Sequence, residues 1–249
     1  MLHRISRLLL LPLTTATYVL AQTESQVPPL ETIISGMAKA RAENRARLRS
    51  YKVTRDYSLF GKDRLMTKSE ITADITFAPP DLKKYSIQRA SGWTFGEKIV
   101  RHMLESETHI VKDYSSTDIS AANYDLRFLR QEEVNGQHSF VLELRPRRKE
   151  ENLLRGNIWV DVTTHLPHRM EGEPAKSPSW WLREVRIELV YGEVGGMWLQ
   201  TASESTVKVR LFGQHTMVSH DVTYEIGEPA AIAGRRIYPL ASGLLYGGP

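Results

Sequence analysis

Cysteine is absent from all 249 residues. No disulfide can form, and thiol nucleophiles and zinc sites built on cysteine ligands are excluded with it. A chain of this length buries most of its unfolded surface without cross-links. Asn-x-Ser/Thr acceptor sites are missing as well. Charge of one sign is lacking too, because 33 basic residues stand against 29 acidic ones. Such a balance argues against nucleic acid as the main partner. Catalytic signatures are scarce: there is no Gly-x-Ser-x-Gly elbow, and Gly92 to Gly96 lacks the spacing of a phosphate loop.

Long apolar runs are confined to the start of the chain. Met1 to Arg7 carries Arg4 and Arg7 with no acid, Leu8 to Leu20 is apolar, and Val19-Leu20-Ala21 offers small residues. This pattern predicts an export signal over residues 1–21, cleaved after Ala21 to leave Gln22 first. The apolar run is short for a membrane span and contains Pro12. Without a cysteine at the cut, no lipid anchor is expected. Loss of Arg4 and Arg7 takes the formal net charge from +4 to +2. Export combined with a total lack of cysteine fits a bacterial periplasm, and the mature chain is expected to be soluble.

What is present is alternation. After a short leader, Gln22 to Pro29, residues Leu30 to Ser50 read as a helix, with Leu30, Ile33, Ile34, Met37 and Leu48 near one stripe. From Tyr51 to Ile226 apolar and polar residues alternate in stretch after stretch. Tyr51, Val53 and Tyr57 share a face; so do Ile71, Ala73, Ile75 and Phe77, and then Phe140, Leu142 and Leu144. Ile158, Val160 and Val162 follow, then Val185, Ile187, Leu189 and Tyr191, then Val207, Val209 and Leu211. Val218, His220, Val222, Tyr224 and Ile226 close the series. Asn135-Gly136 predicts a tight hairpin turn between Tyr124–Glu133 and Gln137–Arg145. A second helix is expected over Gly96 to Ser106, carrying Ile99, Val100, Met103 and Leu104 at helical spacing.

Period-two alternation gives a sheet with one dry and one wet face. The fold class read from it is mainly β: an antiparallel meander of about ten or eleven strands, forming an open half-barrel covered by helices. One domain is expected over residues 30–226, followed by an irregular tail over residues 227–249. The concave face of such a sheet is apolar. Its candidate ligand-lining residues are Val185, Ile187, Leu189, Tyr191, Val207 and Val209 on strands, with Met103 and Leu104 on the covering helix.

Other clusters carry less. His102, Glu105, Glu107 and His109 lack metal-ligand spacing and read as a solvated helix face. Glu132-Glu133 and Glu150-Glu151 are neighbours, so on a strand each pair points to opposite faces and cannot act as a glycosidase dyad. No catalytic residue, metal or cofactor is expected, and the chain reads as a binding protein rather than an enzyme. Two features are candidates for docking a partner. One is the basic run at Arg147, Arg148 and Lys149; the other is Trp180-Trp181, adjacent side chains that cannot both face one core.

Several motifs together resemble a known group. They are Phe77-Ala78-Pro79-Pro80, Asn123-Tyr124-Asp125, and the strand Arg155-Gly156-Asn157-Ile158-Trp159-Val160-Asp161. Arg169-Met170-Glu171-Gly172 with Pro178-Ser179-Trp180-Trp181, and Tyr191 with Gly195-Gly196-Met197-Trp198-Leu199, add to them. Over Leu30 to Ile226 the chain resembles the LolA/LolB-like superfamily, most closely the outer membrane lipoprotein-sorting proteins. The resemblance implies a half-barrel whose apolar cavity takes the acyl chains of a lipid or lipoprotein, in a monomeric periplasmic carrier or chaperone. The alternative is a periplasmic regulatory sensor that binds an inner- or outer-membrane protein; an enzyme acting on an envelope lipid or glycan ranks below both.

Overall fold

The computed structural model describes residues 27–227 apart from 63, 111, 112, 135, 179, 181, 211 and 212. The expected signal, most of the leader, the tail from residue 228, and Asn135, Leu211 and Trp181 lie outside the described residues. Helix α1 (Leu30–Arg47) leads into β1 (Tyr51–Phe60), β2 (Thr67–Ala78) and β3 (Leu82–Gly92). Helix α2 (Thr94–Ile110) and the single turn α3 (Tyr114–Thr117) follow. The remaining strands are β4 (Tyr124–Val134), β5 (Gln137–Pro146), β6 (Leu154–Asp161), β7 (Pro167–Pro174), β8 (Leu182–Val194), β9 (Met197–Val209) and β10 (Gly213–Ile226).

All ten strands form one antiparallel sheet in the order β3-β2-β1-β10-β9-β8-β7-β6-β5-β4. The expected half-barrel is therefore present: two meanders are joined side by side through β1 and β10, and β3 and β4 remain as edges. The chain must pass from the β3 edge to the β4 edge, and α2 and α3 make that passage. The hairpin expected at Asn135-Gly136 joins β4 to β5, with Val134 opposite Gln137 and Gly136 at φ 78°.

Alternation sets which face is dry. On β2, Ser69, Ile71, Ala73, Ile75 and Phe77 are buried, with polar neighbours between them. Two helices cover this concave face, and its core divides accordingly. Ile33 and Met37 of α1 pack with Leu126, Phe140, Leu142, Leu144, Ile158 and Val160 on β4 to β6. Val100 and Leu104 of α2 pack with Val53, Tyr57, Leu59, Ile71 and Ile75 on β1 and β2.

Three elements differ from the expectation. Helix α2 runs longer than Gly96–Ser106 at both ends. Strand β7, bounded by Pro167 and Pro174 and containing Gly172, has no alternating apolar signature; its extended form is imposed by pairing with β6 and β8. On β10 the expected face is corrected. Thr54 pairs with Thr223 but Arg55 pairs with Asp221, so Val222 is the extra residue of a bulge. Below the bulge Met217 and Ser219 are buried, and Val222 is turned to solvent.

Gly156 and Gly172 face each other across β6 and β7. A Cβ on Gly156 would lie 2.0 Å from the Glu171 carbonyl oxygen, and one on Gly172 would lie 2.3 Å from the Arg155 carbonyl oxygen. Only glycine permits this approach. Gly156→Ala is therefore expected to cost about 2–4 kcal/mol, lowering Tm by roughly 5–15 °C. Gly192→Ala, whose Cβ would meet nothing closer than 3.6 Å, should leave Tm within about 2 °C in the same thermal melt.

Candidate binding site

The most unusual feature of the concave face is a charge. Between Val53 and Tyr57 strict alternation turns Arg55 inward, and its side chain is only 7% exposed. Its Nε donates to Asp221 Oδ1 at 2.5 Å, and its Nη1 donates to Glu107 Oε1 at 3.1 Å. Lys83 on β3 donates to the other Glu107 oxygen at 2.6 Å, and the Tyr224 hydroxyl donates to Asp221 Oδ2. Among the described residues, the buried Tyr57 hydroxyl has no hydrogen-bond partner. The bulge at Val222 is what places Asp221 on this face.

Burial works to raise the Glu107 pKa, but the positive charges of Lys83 and Arg55 overcome it and hold the carboxyl below its ordinary value of 4.5. Burial raises both tyrosines, and for Tyr224 the bond donated to Asp221 adds to it. A depressed carboxylate stabilises the fold above its unfolded pKa, and that contribution is lost as pH falls through the folded value. A raised phenol stabilises below its unfolded pKa, and that is lost as pH rises through the folded value. The cluster thus holds α2 best between roughly pH 5 and pH 10.

A second part of the face lies under α1. Met37, Ile158, Leu166, Tyr191 and Trp198, with Arg41, Asn44 and His165, line a partly open, mostly apolar cavity of about 170 Å³. Asn44 ties α1 down there, donating to the Trp198 carbonyl at 2.9 Å and accepting from its N–H at 2.7 Å. The Trp198 indole donates to the Pro167 carbonyl at 2.6 Å. The volume is below the roughly 300–1,000 Å³ of ordinary ligand pockets.

The eight candidate lining residues are distributed unevenly. Ile187, Leu189 and Tyr191 are partly buried against the α1 core, and Tyr191 also lines the cavity. Leu104 is packed in the α2 core with Met103 beside it, and Val209 is buried. Val207 is half-exposed. Val185 lies elsewhere, where β7 and β8 part beyond the Gly172–Ile187 pair. It lines an open groove of about 600 Å³ there, whose other walls include Arg155, Asn157, Glu171, Glu173 and Arg186. Charged and polar residues make up most of that groove's lining. Strand β9 contributes to neither core cluster. It runs between the two helix-covered cores, where its buried Ser203 is bonded to Ser219 at 2.8 Å.

The docking candidates also separate. Arg147 donates to the Tyr124 carbonyl at 3.3 Å, and Arg148 donates to Asn123 Oδ1 and the Ser116 carbonyl, each at 2.9 Å. All three residues are exposed, and the two arginines also staple the loop between β5 and β6 to the start of β4 and to α3. Trp180 is 78% exposed. Glu105 accepts from the Tyr85 hydroxyl at 3.2 Å. Among the described residues no group of His, Asp and Glu is placed to hold a metal. Ser139 Oγ lies 2.6 Å from His168 Nε2, yet Ser139 is fully buried, so no substrate can reach its hydroxyl.

No family model matches the chain, and no curated protein does. Three solved structures are similar to it over most of its length. A DUF1329 family protein from Desulfovibrio piger is 13% identical, covering 80% of this chain and 94% of its own at a TM-score of 0.39. A putative outer membrane lipoprotein-sorting protein domain from Vibrio parahaemolyticus is 14% identical, with 78% and 93% covered and a TM-score of 0.39. A LolA superfamily protein from Nitrosomonas europaea is 12% identical, with 79% and 94% covered and a TM-score of 0.38.

Arg55→Met leaves Asp221 and Glu107 facing a low-dielectric interior without their shared cation. The expected loss is about 3–5 kcal/mol in urea unfolding at pH 7. Lys83→Met, which leaves Glu107 paired with Arg55, should lose less than half as much. In the wild type, the Arg55-dependent part of the stability should shrink as pH falls below 4.5; an Arg55→Met penalty independent of pH would contradict this assignment.

Proposed function

We propose that the chain is an exported, periplasmic binding protein that shelters acyl chains of a lipid or lipoprotein on its helix-covered concave face. The observation that carries this reading is the division of the concave core. Two helices cover one sheet over two separate apolar cores, with half-buried Val207 on the strand between them and Ile187 and Leu189 at the margin of the α1 core. A protein that only needed a packed interior would join the two cores into one, since filled interiors are the rule.

The reaction is binding and release, with no covalent step. Each methylene taken from water contributes roughly 0.8 kcal/mol, so a chain laid along β8 and β9 gains affinity from Ile187, Leu189 and Val207. Tyr191 and the cavity beneath α1 extend the path. When α2 lifts, Met103 and Leu104 turn from core into lining, and Val209 is uncovered beside them.

Arg55 makes the lifting affordable in free energy. Opening separates Glu107 from Arg55 and Lys83, but Arg55 and Asp221 both lie on the sheet and stay paired. The buried cation is never left alone, and Glu107 regains water as it leaves. Acyl burial then has to offset only the α2 contacts.

Lipids extracted from the protein recovered out of a native periplasm, and compared with a delipidated control by mass spectrometry, test the reading. Stoichiometric acyl lipid or lipoprotein is expected, with a lower Tm after delipidation. Ligand-free protein of undiminished stability would remove the carrier reading and favour a regulator that binds a protein.

A further inference from the structure

The strand registers gather several connections at one end of the sheet, four of them side by side. Phe60 pairs with Thr216, Ser69 with Gly92, Gly213 with Val209, and Leu182 with Val209. The β1–β2 loop, the β3–α2 junction, the β9–β10 turn and the β7–β8 loop therefore share one rim. The three most exposed large apolar side chains among the described residues all sit there: Leu65 at 83%, Trp180 at 78% and Met66 at 67%. Trp93 joins them at the β3–α2 junction.

Cations accompany these side chains. Lys68 Nζ lies 5.5 Å from the Trp93 ring centre, and the Arg210 guanidinium lies 5.6 Å from that of Trp180. Arg64, next to Leu65, stacks over Phe60 at 5.8 Å while pairing with Glu204. Lys62 and Arg183 are exposed on the same rim. The opposite end is built differently. Its turns at 79–81, 161–166 and 195–196 carry none of the exposed large apolar side chains among the described residues, and Leu82 at 48% stands beside the first.

We infer that this rim docks the protein on an anionic phospholipid surface. Tryptophan with an aliphatic tip beside it suits the boundary between headgroups and acyl chains, where an amphipathic ring is half wet and half dry. Interleaved lysine and arginine supply the charge complementarity: the charged groups of Lys68 and Arg210 lie over the aromatic rings, and Lys62 and Arg183 are exposed to meet phosphate. Docking by this end presents the start of α2 to the membrane and keeps the polar turns away from it. The inference is independent of the cargo, since it uses no residue of the concave face.

Co-sedimentation with vesicles tests it, using the protein recovered after export. Vesicles of phosphatidylglycerol mixed with phosphatidylcholine are expected to retain it, and pure phosphatidylcholine vesicles to retain much less. Trp180→Ser and Leu65→Ser should each weaken retention at least about fivefold. Lys68→Glu with Arg210→Glu should weaken it about tenfold or more and reduce its sensitivity to salt. Leu82→Ser, at the opposite end, should leave it unchanged. Thermal melts accompany each variant; should an apolar variant lose its fold, the charge-reversal pair is the test. No retention on phosphatidylglycerol vesicles, rim variants that bind like wild type, or an equal loss from Leu82→Ser would overturn the inference.

Discussion

A guanidinium withdrawn from water governs this structure. Moving an ion into a protein interior costs several kcal/mol even after relaxation, and the cost is met only by well-placed counter-charges. Arg55 finds them on two other elements, Asp221 on β10 and Glu107 on α2, and Lys83 of β3 completes the set. Arg55 therefore ties β1, β10 and α2 to one geometry, and Glu107 brings in β3 through Lys83. Apolar contacts alone would seat α2 less specifically, because an oily stripe tolerates sliding by a turn whereas an ion pair at 3.1 Å does not.

The same constraint explains the local irregularities. An unbroken β10 would keep the face chosen by Val218, His220 and Val222. The bulge at Val222 shifts the phase so that Asp221 and Tyr224 both come inward beside Arg55 and Val53. Elsewhere the sheet bends through glycine: the Gly156–Gly172 approach draws β6 against β7, and beyond Gly172 the sheet parts between β7 and β8. A long sheet that twists and curls in this way forms a concave face without closing into a barrel. Two helices then suffice to cover it, each over half.

Much of this was legible in the sequence. Alternation in Ile71-Ala73-Ile75-Phe77 and Phe140-Leu142-Leu144 identified real strands and their dry faces, and Asn135-Gly136 marked a real hairpin. Strand β7 was illegible because proline, glycine and charge fill it; its neighbours make it a strand. Arg55 was within reach, since Val53 and Tyr57 on one face require residue 55 to share it. Pattern reading assigns a charged residue to solvent, however, and the partners that reverse this lie at Glu107 and Asp221, far along the chain. The β10 bulge carries no glycine or proline to announce it. The rim was half visible in Trp180; Leu65, Met66 and Trp93 joined it only once the registers placed their loops at one end.

Binding on the concave face, as proposed, requires α2 to open while the sheet beneath stays folded. Hydrogen exchange of the backbone amides, followed with and without an added long-chain acyl lipid, tests this most directly. The account expects Thr94–Ile110 to exchange through an opening well below the global unfolding free energy, and the lipid to alter exchange in α2, α1 and along β8 and β9 alone. Protection of α2 equal to that of β1 and β2, unchanged by lipid, would contradict it.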